Sequence, residues 1–115
     1  MTYQGSCHCG RVAFEVEGSM EGAMDCNCSF CRRRGALLWF VPRTAFTLLS
    51  PTADYATYTF NSHRLQHRFC PTCGNAPFSE GSGKDGVAMV AVNIRCLDGV
   101  DLARVKITPY DGASR

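Results

Sequence analysis

Residues 69–74 have the sequence FCPTCG, and residues 7–10 have the related sequence CHCG. In both stretches a glycine follows the second cysteine, where it can adopt the positive φ of a tight turn and let backbone N–H groups point at sulfur. Such pairs are typical of zinc knuckles, and four thiolates complete the tetrahedral coordination of a structural zinc ion. The sequence therefore predicts a closed zinc site that ties the first strand to the middle of the chain, with the ligands Cys7, Cys9, Cys70 and Cys73.

A second group of cysteines lies in the sequence CNCSFCRRRG, residues 26–35. The spacing of Cys26, Cys28 and Cys31 is compact enough for one turn to direct all three thiolates at a single ion. Three protein ligands with a position left for water or substrate are the arrangement of catalytic zinc. The missing fourth cysteine therefore favours a second, open zinc site.

Other interpretations of the second group remain open from the residues alone. Cys96, His63 or His67 would close a second structural site if one of them supplied a fourth ligand, or the three thiols would carry no metal. A histidine on a strand is more often a satisfied polar residue than a ligand, and Cys96 is expected to be a small buried apolar residue.

Length and composition indicate one zinc-binding domain over residues 1–115, because 115 residues of which 45% are hydrophobic suit a single modest core. The formal charge is +2, and two Zn²⁺ ions bound by seven thiolates would change it to −1, so neither value favours a nucleic acid as partner.

Neither a signal peptide nor a transmembrane stretch is indicated, which predicts a cytoplasmic protein without a membrane partner. In that reducing compartment, eight cysteines favour metal sites over a disulfide framework. No feature of the sequence indicates the oligomeric state.

Short segments with alternating or continuous apolar residues predict a mainly β domain. A helix of barely two turns is expected only over residues 29–35, with Ser29 as a possible N-cap and Gly35 as its end. The predicted strands cover residues 11–17, 35–43 ending at Pro42, 55–61 and 63–69 as a hairpin, 86–94, and one more within 101–110.

Three arginines, Arg32, Arg33 and Arg34, directly follow the third thiol of the second group. A zinc ion with three thiolates carries a charge of about −1, and a nearby guanidinium would offset it and bind a substrate carboxylate. Arg32 is therefore a candidate substrate-binding residue. The alternative is that the triplet forms a solvated, charged turn.

The order of these motifs, C-x-C-G, C-x-C-x-x-C-R and F-C-P-x-C-G, resembles that of the glutathione-dependent formaldehyde-activating enzyme and centromere protein V family. The resemblance extends from GSCHCGRVAFEV to VNIRCLDGVDL. It implies an Mss4-like fold, with several small antiparallel sheets built around zinc sites. It also implies the same division of the cysteines into one structural and one catalytic set.

The resemblance further implies a zinc-dependent carbon–sulfur lyase that forms or cleaves S-(hydroxymethyl)glutathione, with a small thiol such as glutathione and an aldehyde as substrates. Asn27 stands where histidine is common in the family. It is a second candidate substrate-binding residue, because its side chain can donate a hydrogen bond. The competing hypothesis is a non-catalytic, zinc-stabilised module that binds a protein partner, which the Mss4-like fold also allows.

Overall fold

A computed structural model of the protein describes residues 1–83 and 85–114. Within these ranges the chain is mainly β, as predicted, and no helix is long and apolar enough to cross a membrane. The strands in the described part of the chain are β1 (Thr2–Ser6), β2 (Ala13–Glu17), β3 (Gly22–Cys26), β4 (Leu38–Pro42), β5 (Phe46–Leu48), β6 (Ala56–Tyr58), β7 (Gln66–Phe69), β8 (Phe78–Ser82), β9 (Ala88–Asn93) and β10 (Lys106–Tyr110). The helix α1 comprises Cys31–Arg34, and 3₁₀ turns lie at Arg43–Ala45, Thr52–Asp54, Ile94–Cys96, Leu102–Arg104 and Gly112–Ser114.

The described strands form two sheets. The smaller has the order β1-β2-β5, and the larger has the order β10-β3-β4-β9-β8-β7-β6. All neighbouring strands are antiparallel except β10 and β3, which run parallel. The larger sheet is therefore mixed, because β10 joins its edge parallel to β3.

The main core lies between the two sheets. Phe14 of β2 and Phe46 of β5 stack with centroids 5.1 Å apart, and Phe78 of β8 lies 4.7 Å from Phe46. Alternation along a strand sends successive side chains to opposite faces, so β4 and β9 contribute every second residue to this core. The core-facing residues of these two strands are Trp39, Val41, Val90 and Val92.

The opposite face of the larger sheet carries a second, smaller apolar cluster. Cys26, Cys31, Ala36 and Leu38 are buried in it, and Met24, Cys28 and Ala91 pack against it. The fold therefore gives one sheet two different functions: one face closes the core and the other supports the second group of cysteines.

Most predicted elements are present, although the strands are shorter than expected. The alternating segment 11–17 contains β2, and its predicted inward residues Val12, Phe14 and Val16 are fully buried. The predicted hairpin is confirmed as the β6–β7 pair, joined by residues 59–65, where Asn61 and His63 have positive φ. The segments 35–43, 86–94 and 101–110 contain β4, β9 and β10.

Strands β1, β3, β5 and β8 lie outside the predicted segments. They have three to five residues each, and β1, β3 and β8 include glycine, so none shows a sustained alternation. Sheet pairing, rather than local propensity, makes these segments extended.

The predicted helix is shorter than residues 29–35. Phe30 occupies the N-cap position, so the prediction of Ser29 as the N-cap is wrong. The N-cap residue makes no side-chain hydrogen bond to the helix. Gly35 ends the helix in the left-handed conformation, as predicted, and its N–H donates to the Cys31 carbonyl.

Candidate metal centre and adjoining cavity

The first group of cysteines comes together as the sequence predicts. The sulfur atoms of Cys7, Cys9, Cys70 and Cys73 all lie within 4.8 Å of one another. Cys9 Sγ is 3.7 Å from Cys7 Sγ and 3.6 Å from Cys70 Sγ. Four thiolates at ~2.3 Å from one tetrahedral zinc ion would be separated by about 3.8 Å. The arrangement therefore fits a zinc ion.

Backbone N–H groups surround these sulfur atoms. Gly10 and Gly74 have φ of 84° and 82°, the predicted positive values. The Val12 N–H donates to Cys7 Sγ at 3.3 Å. Hydrogen bonds from the backbone of Asn75 and Cys9 lower the pKa of Cys73 to about 6. These donors stabilise thiolates, which are the form that binds metal.

The two knuckles also hold each other directly. The His8 N–H donates to Asn75 Oδ1 at 2.9 Å, and Arg11 Nη1 donates to Thr72 Oγ1 at 2.9 Å. Each bond joins a residue of the first cysteine turn to one of the second, more than 60 positions away. The closed site is thus the point at which the start of the chain is fixed to its middle.

The second group of cysteines is equally compact. The Sγ atoms of Cys26, Cys28 and Cys31 lie within 4.8 Å of one another, and the Cys31 N–H donates to Cys28 Sγ at 3.3 Å. Cys26 ends β3 and Cys31 begins α1, so the turn between these elements gathers the thiols. Burial raises the pKa of Cys31 to about 12, although the Arg34 guanidinium opposes this effect. The three soft ligands fit zinc.

No fourth cysteine, histidine or carboxylate joins this group among residues 1–83 and 85–114. Cys96 is half-buried and lies near Cys7 and Cys73 instead, where burial raises its pKa to about 11. The exposed His63 bonds with its Nδ1 to Thr59 Oγ1 at 2.8 Å. Among the described residues, none of Cys96, His63 and His67 therefore joins the three sulfur atoms within 4.8 Å.

Arg34, rather than Arg32, is the arginine beside the cluster. Its Nη2 donates to Cys31 Sγ at 3.6 Å, and its guanidinium lies over the Phe30 ring at 4.6 Å. Residues three apart on a helix share a face, whereas adjacent residues do not. Arg34 therefore lies on the same face as Cys31, beside the cluster, and Arg32 is exposed on another face. Arg33 donates back to the Ser29 carbonyl at 2.7 Å.

His67 is buried next to Arg34 on the same side of the sheet. Its Nδ1 lies 2.8 Å from Ser79 Oγ, and Arg34 Nη1 donates to the same hydroxyl at 3.4 Å. Burial and the Arg34 charge lower the pKa of His67 to about 4. The imidazole is therefore neutral at neutral pH.

Asn27 contacts the C-terminal segment instead of the cavity. Its Nδ2 donates to Asp111 Oδ1 at 3.1 Å, and its Oδ1 accepts the Ala113 N–H at 2.9 Å. Between these contacts Gly112 passes so close to the cluster that a Cβ there would lie 2.6 Å from Cys26 Sγ. The structure thus places Asn27 as an anchor for a segment that closes one side of the cluster.

A cavity of about 380 Å³ adjoins the second cluster. Its described lining includes all three thiols, Arg34 and His67, but neither Asn27 nor Arg32. The remaining lining is largely apolar and comes from β3, β4, β8, β9, the loop before β7 and the end of β10: Met24, Leu38, Phe40, Phe60, Leu65, Ser79, Glu80, Gly81, Ser82, Gly83, Met89, Ala91 and Tyr110.

Sequence reasoning missed Arg34 and His67 as residues of this cavity, and it did not predict the apolar lining. Helical spacing from Cys31 was a usable signal for Arg34. No local signal existed for His67, because its position depends on the pairing of β7 with β8, where it lies opposite Ser79.

Comparison with known proteins agrees with these features. The family model described as glutathione-dependent formaldehyde-activating enzyme matches residues 2–110. The chain is also similar to a Rhodobacter sphaeroides protein whose crystal structure was determined as a structural genomics target. The TM-score is 0.78 at 33% sequence identity, over 91% of this chain and 99% of that chain. The predicted resemblance and the Mss4-like fold are thereby confirmed. The chain therefore belongs to the glutathione-dependent formaldehyde-activating enzyme family.

Proposed function

We propose that this protein is a zinc-dependent carbon–sulfur lyase-like enzyme that joins a thiol to an aldehyde or cleaves their adduct. Cys26, Cys28 and Cys31 would hold the catalytic zinc, and a structural zinc would lie at the closed site. The observation that carries the proposal is that a three-thiol cluster, which no fourth ligand from residues 1–83 and 85–114 joins, opens into a cavity of about 380 Å³. S-(hydroxymethyl)glutathione, which the family name suggests, is the reference adduct. We further propose that the chain acts as a single zinc-binding domain in the cytoplasm.

The proposed reaction is balanced without an oxidant or reductant. The thiol sulfur forms a bond to the aldehyde carbon, the π electrons of the carbonyl move to oxygen, and that oxygen receives the proton lost by the thiol. Zinc bound by the three cysteines would supply a Lewis acid that lowers the pKa of a thiol and polarises a carbonyl.

The chain itself would supply charge, hydrogen bonding and a dry environment. The guanidinium of Arg34, 3.6 Å from Cys31 Sγ, offsets the negative charge of the thiolates. A neutral imidazole has one ring nitrogen that donates a hydrogen bond and one that accepts. In His67, Nδ1 is already hydrogen-bonded to the Ser79 hydroxyl. We assign to the other ring nitrogen a hydrogen bond with the oxygen of the adduct. The apolar walls exclude water, which strengthens both interactions.

The competing hypothesis of a protein-binding module predicts a small apolar face without an accessible metal site. The cavity beside the cluster favours the enzyme instead, because a ligand there would reach the thiols.

Cobalt substitution tests the open site. In protein loaded with Co²⁺ at both sites, a small thiol should change the visible spectrum, since sulfur would enter a coordination position at the second cluster only. Cys26→Ala should abolish this change and keep the spectrum of the closed site. Cys96→Ser is the matched control, since Cys96 lies outside both clusters, and it should respond as the wild type does. If the wild-type protein binds Co²⁺ at both sites and its visible spectrum does not change with thiol, the enzymatic proposal is wrong.

Catalysis is measured separately with ¹³C-formaldehyde. Exchange NMR gives the rate of interconversion between the free thiol and its hydroxymethyl adduct, and the zinc-loaded protein should raise this rate above that of buffer. Cys28→Ser should return the rate to that of buffer, whereas Cys96→Ser should retain it.

A further inference from the structure

One row of directly paired residues on the larger sheet forms the floor of the cavity beside the second cluster. Phe40 of β4 lies opposite Ala91 of β9, Ala91 lies opposite Ser79 of β8, and Ser79 lies opposite His67 of β7. Directly paired residues share a face of a sheet, so the row forms a continuous floor that faces away from the main core. The floor contains a phenyl ring, a methyl group, a hydroxyl that is already hydrogen-bonded, and the imidazole of His67, whose Nδ1 lies 2.8 Å from that hydroxyl.

The mouth of the cavity is apolar as well. Phe40 and Leu65 line it although 47% and 51% of their respective surfaces are exposed. Leu65 lies directly over Gly81, where any side chain would overlap its Cδ2 atom. Met24 and Met89 supply flexible thioethers to the wall, which adapt to ligands of different shape. A ligand entering the site therefore contacts mainly apolar atoms of the described lining between the mouth and the thiols.

Among the described residues of the lining, the carboxylate is fully engaged and the guanidinium is engaged in part. Glu80 forms salt bridges with Arg43 at 3.0 Å and with Arg68 at 2.8 Å. Arg34 donates to Ser79 and to Cys31 Sγ, whereas its buried Nε has no hydrogen-bond partner in the described part of the chain. Glutathione carries two carboxylates and one ammonium group. Within the described lining, Arg34 is available to one carboxylate, whereas the other carboxylate and the ammonium group would lack partners. Burial of unpaired charges is strongly unfavourable.

We propose that the physiological thiol of this site has an apolar body, alkyl or aryl, and that the enzyme acts on its aldehyde adduct rather than on that of glutathione. This inference rests on the proposed function, since it names the substrate class of the same site. A thiol of this kind would place its sulfur at the cluster and its hydrocarbon body against Leu65 and Phe40. Glutathione would have to leave its charged ends outside the mouth.

Methionine methyl groups report the binding directly. The chain has four methionines, of which Met24 and Met89 line the cavity, whereas Met20 packs on the main core and Met1 is 84% exposed. In zinc-loaded protein labelled with ¹³C at the methionine methyls, phenylmethanethiol should shift the signals of Met24 and Met89 and leave those of Met20 and Met1 in place. Its Kd should be about tenfold or more below that of 2-mercaptoethanol, because the ring adds buried apolar surface. Glutathione should bind no tighter than 2-mercaptoethanol.

Two leucines of nearly equal exposure provide a matched pair of variants. Leu65 at the mouth is 51% exposed, and Leu49, outside the cavity lining, is 53% exposed. Leu65→Asn should weaken phenylmethanethiol about fivefold and leave 2-mercaptoethanol unchanged, since only the larger thiol reaches this contact. Leu49→Asn should change neither affinity.

The outcomes separate this inference from the proposed function. Binding of glutathione as tight as that of phenylmethanethiol, or absence of shifts at Met24 and Met89, would overturn the apolar substrate even if formaldehyde exchange is catalysed. A Leu65→Asn variant with altered oligomeric state and unaltered thiol affinity would also overturn it, since the mouth would then be a contact between copies. Tight phenylmethanethiol binding without catalysed exchange would support the apolar cavity and defeat the proposed reaction.

Discussion

Loss of the closed cysteine site should destabilise the whole domain, whereas loss of the open site should act locally. The test compares two matched double variants of the zinc-loaded protein. Cys70→Ser/Cys73→Ser removes one complete half of the closed site, so no ion can join it to Cys9. Cys28→Ser/Cys31→Ser leaves only one thiol at the second cluster.

The structure gives the expected magnitudes. Cys9 and Cys70 are separated by 61 positions, and a crosslink over such a loop is worth about 4 kcal/mol in the chain-entropy model. For 115 residues the unfolding entropy is about 0.24 kcal/mol/K, so the first double variant should lower the Tm by about 17 °C. The same model gives at most about 2 kcal/mol, or about 8 °C, for the short loop from Cys26 to Cys31.

Thermal melts followed by circular dichroism measure both variants. After metal removal with a chelator, the wild type and the two variants should melt at similar temperatures, because the crosslinks are then absent from all three. Equal lowering of the Tm by the two double variants in the presence of zinc would refute the division into a structural and a catalytic site.

Three further perturbations examine the surroundings of the second cluster. Arg34→Ala should weaken zinc binding at this cluster about tenfold while Arg32→Ala leaves it unchanged, because Arg34 donates to a cluster sulfur and the exposed Arg32 points elsewhere. Competition with a chromophoric chelator measures the zinc affinity of both variants, and equal losses would contradict the assignment. Asn27→Ala removes two hydrogen bonds to residues 111–113. Amide hydrogen exchange in this segment should become about tenfold faster, and the global Tm should stay the same. Unchanged exchange would show that other contacts hold the segment. Gly112→Ala would place a Cβ 2.6 Å from Cys26 Sγ and should reduce zinc affinity at the second cluster only, and a loss confined to the closed site would contradict this reasoning.

Local geometry explains why the two cysteine groups could be predicted from the sequence. A cysteine turn needs a fixed spacing and a glycine with positive φ, and both are encoded within four to six neighbouring residues, as Gly10 and Gly74 show. The alternation of residues 12–16 likewise predicted which side chains of β2 enter the core. Strands that contain glycine, such as β8, show no alternation of apolar and polar residues, so they could not be predicted from local sequence.

By itself, then, the sequence determined the family, the mainly β fold and two compact groups of cysteines that could hold metal, because turns and alternation are local properties of the chain. Tertiary structure alone decided what surrounds the second group. Strand register brought His67 opposite Ser79, and the parallel pairing of β10 with β3 placed Tyr110 beside Cys26, 84 positions away. The apolar cavity results from these pairings, because the side chains that line it belong to strands that meet only when the larger sheet is formed.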